Sequence, residues 1–468
     1  MRKLLASFAL LLPFVCEPTF VPSRPVAPPG TLGELIVLTR NSPTTRYVDQ
    51  EGRYSGVEND LIQMFARELG LRVRYLDRQP LYQILPALQR QQAHFAAAGL
   101  AITSERLDRF QFSPSYQMVQ AVLAYNTENR APRSPKDLAG KRIEVVKGAA
   151  EIEDLRLLRA RFPKIRWHEV PENDSEGLLI RLAQGETDYV VTEAHVLDIV
   201  RKFYPNVARA FPLGDPKPLA WMFPRDADPK LVDQAEEFFL RLIYDGTMRQ
   251  LLERYYGHGE RLNQLDVAHF LLQRQKMLPT YAPMFKEAQE LTGIDWRLLA
   301  ALGFQESHWN PFATSPTGVR GLMMLTVDTV ERMGVTDRLD ARENIIAGGK
   351  YLLELKETLP LRIREPDRTW LALAAYNIGY GHLEDGRVLA QRRKLNPDLW
   401  SDVKSVLPLL SQYEFYSTVK FGFCRGGEAV ILTENVRAYH DILLRLEAPH
   451  TPGFELFADS SASAQGSR

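Results

Sequence analysis

The sequence changes its hydrophobic pattern once, near residue 260, and this change constrains the fold more than any other feature. From residue 33 to about 256, short β-rich runs alternate with stretches that place apolar residues at helical spacing. From about residue 271 onward the strand-like runs end, and Leu, Ala, Glu and Arg dominate. We therefore predict two domains: an α/β domain followed by an all-α domain.

The predicted strands and helices of the first part are short and bounded by turn residues. The strands are predicted at 35–39, 73–76, 95–99, 143–146 and 189–192, and the helices at 59–69 and 81–91. Strands that alternate with helices favour a parallel sheet. In the second part, Asp295 is a predicted helix N-cap and Asp340 with Glu343 resembles a capping box.

The N-terminus has the pattern of a secretory signal. Arg2 and Lys3 precede an apolar run at 4–15, which is too short for a convincing membrane span, and a Pro-rich stretch follows. Cys16 lies where a lipoprotein signal places its acylated cysteine, although Val15 replaces the usual small residue before it. Two alternatives stay open: a lipid anchor at Cys16, and a signal that is uncleaved or cleaved elsewhere. In either case we expect an exported protein.

We divide the chain accordingly. The predicted segments are a signal peptide with a Pro-rich leader at 1–30, a first domain at 31–257, a linker at 258–269, a second domain at 270–450 and a disordered tail at 451–468.

Composition excludes several kinds of partner. Lys plus Arg and Asp plus Glu both total 58, so the formal net charge is zero and we expect no nucleic-acid partner. The two cysteines and nine scattered histidines, with no close His pair, predict neither a metal site nor a disulfide framework. We expect no cofactor.

Glu306 is the strongest candidate for chemistry. At about 100° per residue it falls on the same helix face as Leu298, Leu299 and Leu302. A carboxyl group on the core side, near a helix C-terminus, has a raised pKa, because burial and the helix dipole both disfavour the charged form. A protonated carboxyl group suits a general acid. On its own, Glu306 fits a buried structural residue equally well.

The first domain resembles the family-3 solute-binding proteins of amino-acid import systems. The residues that carry the resemblance lie in three stretches, at 54–60, 101–116 and 137–148. The resemblance implies a ligand-binding role for Arg106, which would clamp a carboxylate, and for Glu193, which would hold an amine. The resemblance also implies a two-lobed α/β fold that closes around an amino-acid-like ligand. Because the domain is fused to a second domain, we expect it to be regulatory, with an amino acid or a muropeptide as its ligand. The alternative for Arg106 is a solvated surface residue beside Glu105 and Asp108.

The second domain is similar to the family-1 lytic transglycosylases. Four segments in order carry the resemblance: Glu306-Ser307, the run 315–326, the Ala-Tyr-Asn motif that ends at Asn377, and a late tyrosine. The resemblance implies one catalytic acid, Glu306, and five substrate-binding residues: Ser307, Met323, Tyr376, Asn377 and Tyr416. Met324 departs from the family, which has glutamine there.

The roles that the resemblance implies are specific. Ser307 would help to hold Glu306, Tyr376 and Asn377 would line the acetamido and leaving-group region, and Met323 would pack on a sugar. The alternative for Met323 is plain core packing, and the alternative for Asn377 is a helix C-cap.

The expected activity is non-hydrolytic cleavage of peptidoglycan glycan strands, between N-acetylmuramic acid and N-acetylglucosamine, with a 1,6-anhydro product. The expected location is the periplasmic face of the outer membrane, held peripherally or by a lipid through the N-terminal segment. Two alternatives stay open: a hydrolytic muramidase on the same fold, and a periplasmic sensor whose helical part is silent.

Overall fold

A computed structural model describes residues 25–451, apart from 43, 49–51, 77–79, 172–173, 257–261, 263 and 315–318. The predicted signal peptide with Cys16, and the predicted tail beyond residue 451, lie outside the described residues.

The described residues form twelve strands and nineteen α-helices. The strands are β1 Glu34–Leu38, β2 Tyr47–Val48, β3 Tyr54–Ser55, β4 Arg72–Leu76, β5 Phe95–Ala96, β6 Phe110–Phe112, β7 Gln117–Asn126, β8 Ile143–Val146, β9 His168–Val170, β10 Tyr189–Glu193, β11 Val207–Leu219 and β12 Met222–Pro224. The helices of the α/β part are α1 Pro29–Leu32, α2 Val57–Leu69, α3 Leu81–Gln89, α4 Ser104–Leu107, α5 Glu151–Arg161, α6 Ser175–Ala183, α7 Ala194–Val200, α8 Pro229–Tyr244 and α9 Thr247–Tyr256. The later helices are α10 Gln264–Lys276, α11 Leu278–Thr292, α12 Trp296–Ser307, α13 Val327–Met333, α14 Ala341–Thr358, α15 Asp367–Ile378, α16 Tyr380–Arg392, α17 Trp400–Val406, α18 Tyr413–Tyr416 and α19 Gly426–Leu446. Two short 3-10 helices span Pro135–Leu138 and Leu407–Ser411.

The first domain is two lobes, each built on a five-stranded sheet. The first lobe has the strand order β4-β1-β5-β12-β6 and the second has β11-β7-β10-β8-β9. Each sheet has a buried apolar cluster on both faces, because alternate residues of the strands point to opposite sides. The α/β fold class predicted from the sequence is confirmed.

The sheets are mixed, so the prediction of a parallel sheet is only partly right. β1 pairs in parallel with β4 and β5, and β8 pairs in parallel with β9 and β10. The long strands β7 and β11 are antiparallel to each other, and β7 is also antiparallel to β10. β11 carries prolines and charged residues, which hid it from pattern analysis, whereas β7 has no proline and its mostly apolar run was missed.

The second domain is all helical around one apolar core. Asp295 caps α12 by accepting a hydrogen bond from the Arg297 N–H, as predicted. Asp340 caps α14 in the same way, but Glu343 accepts from the N–H groups of Thr336 and Asp337 rather than completing a capping box.

Both lobes of the first domain contact the second domain through ion pairs. Lys202 follows α7 of the second lobe and bonds Asp441 of α19 at 2.9 Å. Arg249 of α9, which belongs to the first lobe, bonds Asp402 of α17 at 2.8 Å. Residues 264–269 of the predicted linker are already helical, as the start of α10.

Within the described part of the chain, no helix has both the length and the apolar character needed to cross a bilayer.

Candidate active site

Glu306 lies in the last turn of α12, on the face that the sequence pattern predicts. Leu298, Leu299 and Leu302 on the same helix are buried, and the Glu306 side chain is partly buried beside them. Burial raises the pKa of Glu306 to about 8. At neutral pH the carboxyl group is therefore mostly protonated, as a proton donor requires.

The helix ends directly after Glu306. His308 takes a left-handed conformation, with φ of 54°, and its N–H bonds the Phe304 carbonyl oxygen. Trp309, also at positive φ, turns back and donates its indole N–H to the Ala300 carbonyl oxygen at 2.8 Å. The chain therefore reverses at His308 and Trp309.

Three side chains hold the loop at 319–325 against α12. Ser307 Oγ donates to the Leu322 carbonyl oxygen at 2.7 Å, and Tyr376 Oη donates to the Met323 carbonyl oxygen at 2.8 Å. The buried Asn344 side chain accepts from the Met323 N–H at 2.6 Å. Among the described residues, Ser307 makes no hydrogen bond to the Glu306 carboxyl group, so its contact with the site runs through the loop.

Met323 is fully buried between two helices. A Cβ atom on Gly303 of α12 would lie 3.1 Å from the Met323 sulfur, and one on Gly348 of α14 would lie 2.8 Å from its Cβ and Cγ. Glycine at both positions therefore lets the methionine side chain fit between the backbones. Core packing of Met323 is what the structure shows.

Tyr376 and Asn377 lie at the end of α15. The pKa of Tyr376 is raised well above its usual value, first by burial and then by the nearby Glu306, so the two side chains are close. Asn377 is exposed, and the helix is closed by Gly379, whose N–H bonds the Ala375 carbonyl oxygen. Asn377 is thus not the helix C-cap.

Tyr416 lies apart from this group. Its ring contacts Tyr413 at 5.4 Å and Phe423 at 5.7 Å between centroids. No contact within the described residues joins Tyr416 to Glu306, Met323 or Tyr376.

The described residues place no second carboxylate close enough to influence Glu306. Burial is the one cause of its pKa shift, and Asp328 and Glu331 of α13 are exposed. The described residues also contain no group of three His, Cys, Asp or Glu side chains that could hold a metal ion. The site therefore offers a single carboxyl group for proton transfer.

A second candidate site lies between the two lobes of the first domain. Arg106 of α4 is buried and donates to the carbonyl oxygens of Ala101, at 2.7 Å, and Gly148 of the second lobe, at 3.0 Å. The alternative of a solvated surface arginine is therefore wrong. Gly148 lies so near Tyr82 of the first lobe that a Cβ atom would be 2.9 Å from its Cα, so the cleft is closed here.

Buried charges of both signs face one another in this cleft. Glu193 ends β10 and Glu151 begins α5, and burial raises the pKa of both carboxyl groups. The pKa of Glu151 reaches about 7, since Glu193 also repels its charge, while Arg40 and Arg106 act in the opposite direction. An ammonium group between the two glutamates would relieve this repulsion.

Several buried polar atoms of the cleft have no hydrogen-bond partner among the described residues. These atoms are Thr39 Oγ1, Arg40 Nε, Thr192 Oγ1 and His195 Nδ1. Buried polar atoms without partners are uncommon and costly in folded proteins. A bound ligand with carboxylate or amide oxygens would satisfy them.

Comparison with known proteins assigns both domains to known families. Residues 35–258 match the family "Bacterial extracellular solute-binding proteins, family 3", and residues 283–399 match the "Transglycosylase SLT domain" family. The chain is 47% identical to a membrane-bound lytic murein transglycosylase F of Methylobacillus flagellatus, over 100% of this chain and 99% of the relative. It is 48% identical to the protein of that name from Nitrosospira multiformis, over 93% of this chain and 91% of the relative. The chain belongs to the membrane-bound lytic murein transglycosylase F family.

This membership and the transglycosylase domain together assign the activity: the chain is a peptidoglycan lytic transglycosylase with an N-terminal solute-binding domain. Among solved structures, a mutant arginine-binding protein of T. maritima covers 49% of this chain and 97% of its own, at 21% identity and a TM-score of 0.45.

In this lytic transglycosylase, sequence reasoning missed Asn344, Arg40 and Glu151. Asn344 lies in a helix at 0% exposure, and a buried amide in an apolar helix face was the available signal. Arg40 and Glu151 follow strands β1 and β8 closely, and residues at the carboxyl ends of parallel strands often bind ligands.

Proposed function

We propose that Glu306 alone serves as acid and then as base in cleaving the β-1,4 bond between N-acetylmuramic acid and N-acetylglucosamine. The observation that carries this proposal is a partly buried carboxyl group with a pKa near 8 and no neighbouring carboxylate among the described residues. Ordinary glycosidases need two carboxylates, one as the acid and one as the nucleophile or base. With one, the substrate must supply the nucleophile.

The steps balance without water. Glu306 gives its proton to the glycosidic oxygen, and the bond from that oxygen to C1 of N-acetylmuramic acid breaks while the acetamido oxygen attacks C1. The resulting Glu306 carboxylate then takes the proton from O6 of the same sugar. O6 attacks C1 and displaces the acetamido oxygen, which leaves a 1,6-anhydro ring and a reprotonated Glu306.

The other residues of the group position this reaction. Ser307 and Tyr376 hold the loop at 319–325 beside Glu306 through the carbonyl oxygens of Leu322 and Met323. Asn377 is exposed, so its amide group can bond an acetamido or leaving-group oxygen. For Tyr416 we propose a contact with sugar further along the strand.

In the first domain, we propose that the cleft binds an amino acid or the stem peptide of a muropeptide. Glu193 and Glu151 would take ammonium groups. Arg40, whose Nε lacks a partner among the described residues, would take the carboxylate, because Arg106 already donates to two carbonyl oxygens. A planar guanidinium group suits a carboxylate.

We further propose that this ligand regulates the transglycosylase through α19. Asp441 of that helix bonds Lys202 of the second lobe, and Tyr439 contacts Phe304 of α12 at 4.9 Å between ring centroids. Phe304 precedes Glu306 by two residues, so α19 connects the cleft domain to the catalytic helix.

For location, we propose export to the periplasmic face of the outer membrane, held there peripherally or by a lipid on Cys16. The support is the basic and apolar pattern of the first fifteen residues.

Mass analysis of digested peptidoglycan tests the reaction. We expect products that are one water lighter than hydrolytic muropeptides, and we expect Glu306→Gln to lower the rate by at least about a thousandfold. Products that carry the added water would identify a hydrolytic muramidase, and equal lysis by the variant would show that Glu306 is not the catalyst.

A further inference from the structure

Four aromatic side chains lie together on the surface of the second domain, and one of them packs against the start of α16, just after the helix that carries Tyr376 and Asn377. This group, here called the aromatic platform, consists of Tyr413, Tyr416, Phe421 and Phe423. We propose that the aromatic platform binds the glycan strand of peptidoglycan beyond the bond that is cleaved. This inference rests on the proposed function, because it takes the same strand as the substrate.

The platform is largely exposed, and three of its four rings are in contact with one another. Tyr413 is 74% exposed, Phe421 50% and Phe423 56%. Tyr416 joins Tyr413 to Phe423, with ring centroids 5.4 and 5.7 Å away. Single exposed apolar residues need no explanation, but a cluster of large rings points to an interaction surface.

The platform adjoins the catalytic group through Gly381. A Cβ atom on Gly381 would lie 2.8 Å from the Phe421 ring, so the ring rests on the backbone at the start of α16. Gly381 follows Asn377, at the end of α15, by four residues. A strand held at Glu306 and Asn377 can therefore continue onto Phe421.

The loop that carries the phenylalanines is held in place before any ligand binds. The buried Asp385 side chain of α16 accepts hydrogen bonds from the N–H groups of Lys420, Phe421 and Gly422, at 3.0, 2.8 and 3.1 Å. The Cys424 N–H bonds the Leu410 carbonyl oxygen at 3.0 Å. Little ordering entropy is then lost on binding, which favours affinity.

The chemistry of the platform fits sugar rings that carry acidic peptides. Pyranose rings present flat C–H faces, which pack on aromatic rings, with hydroxyl groups around the edge. Lys420 and Arg393 place their charges 5.1 and 5.8 Å from the rings of Phe421 and Phe415, against one exposed acid in the same segment, Glu414. These cations would pair with the carboxylates of stem peptides along the strand.

Binding to purified sacculi tests the proposal in the full chain with Glu306→Gln, which prevents cleavage during the measurement. We expect Phe423→Ala combined with Tyr413→Ala to raise the dissociation constant for sacculi at least fivefold, measured by co-sedimentation. The increase should be smaller for a disaccharide-peptide fragment, which is too short to reach the platform. When Phe423→Tyr takes the place of Phe423→Ala, binding of sacculi should be restored, because tyrosine keeps a flat ring.

Tyr244→Ala is the matched control, since Tyr244 is 95% exposed and lies on the first domain; its affinity for sacculi should stay within twofold. Unchanged binding of sacculi by the double variant would overturn the proposal. An equal loss of affinity for sacculi and for the fragment would also overturn it. So would a double variant that lost only its self-association, or only its binding to lipid vesicles. The proposed function is tested separately, by the products that the chain with Glu306 intact releases. A hydrolytic product would contradict the proposed function but would not change the result of the binding experiment.

Discussion

Burial alone keeps the Glu306 carboxyl group mostly protonated at neutral pH. A free glutamic acid is almost fully ionised at neutral pH. Here burial raises the pKa to about 8, and no charged group among the described residues contributes. The same carboxyl group can then give a proton to the leaving sugar and recover one from O6.

The pH dependence of activity follows from this pKa. The protonated form of Glu306 is the active one at the start of the cycle, so we expect the rate of strand cleavage to fall as pH rises through about 8. Initial rates on sacculi between pH 5 and 10 check this. A decline centred near pH 5 would contradict the assignment of Glu306 as a buried acid.

The same raised pKa of Glu306 also predicts how the stability of the fold changes with pH. The folded state binds the Glu306 proton more tightly than the unfolded state, so folding loses stability as pH rises from the ordinary value of 4.5 to about 8. Glu306→Gln has no such loss. We expect the variant to gain free energy of unfolding over the parent across this range, by at most about 1.4 kcal/mol per pH unit. Urea unfolding at pH 5 and pH 8 measures it; equal differences at both values would contradict the shift.

In the cleft, Arg40 is the residue whose replacement is most informative. We expect Arg40→Met to lower the affinity of the full chain for a muropeptide about tenfold or more, because a charged hydrogen bond to the ligand is lost. Calorimetry measures the affinity. Arg156→Met, at a half-exposed arginine of α5, is the control and should change little. Equal affinity of Arg40→Met and the parent would exclude the carboxylate contact.

At the scale of elements, α14 supports the site through its small residues. A Cβ atom on Gly348 would crowd Met323 at 2.8 Å, whereas one on the adjacent Gly349 would have ordinary contacts of 3.5 Å or more. We expect Gly348→Ala to lower the cleavage rate at least about tenfold, because Met323 and its loop must move. Gly349→Ala should keep the rate and gain up to about 1 kcal/mol of stability from helix propensity. Equal rates in the two variants would show that the loop tolerates the displacement.

Much of the architecture could be predicted from the sequence, since it depends on local patterns. The strand Ile143–Val146 matches its prediction, and α2 and α3 match within about two residues. The hydrophobic face of α12 correctly predicted that Glu306 is partly buried. The antiparallel pairing of β7 with β11 could not be predicted, because the paired residues lie more than eighty positions apart in sequence and prolines and charges interrupt the pattern of β11.

The candidate site was predictable only for residues within recognisable motifs. Glu306, Tyr376 and Asn377 lie in short motifs of the family that the second domain resembles, and the structure brings Glu306 and Tyr376 together. The bonds that Ser307 and Tyr376 make to carbonyl oxygens depend on where a distant loop comes to rest. Arg40 and Glu151 meet only because two lobes close, and no local pattern encodes that.

At the scale of the whole molecule, the ion pair between Lys202 and Asp441 joins the second lobe to the catalytic domain. We expect Lys202→Met to bring the ratio of cleavage rates with and without saturating muropeptide closer to one, because the proposed regulation runs through this contact to α19. Replacing Arg332, which pairs with Glu354 inside the catalytic domain, is the control and should leave the ratio intact. A ratio of one in the parent chain would exclude any coupling.

Ion pairs between the domains also bear on the cleft itself. On the second lobe, Lys202 pairs with Asp441 and Glu176 pairs with Arg445 of the catalytic domain. On the first lobe, Arg249 pairs with Asp402 and Glu253 pairs with Lys404. If the lobes moved apart, ion pairs on one lobe or the other would have to lengthen. We therefore expect that a glycan strand which shifts the catalytic helices on binding also changes how long the proposed regulatory ligand stays in its cleft.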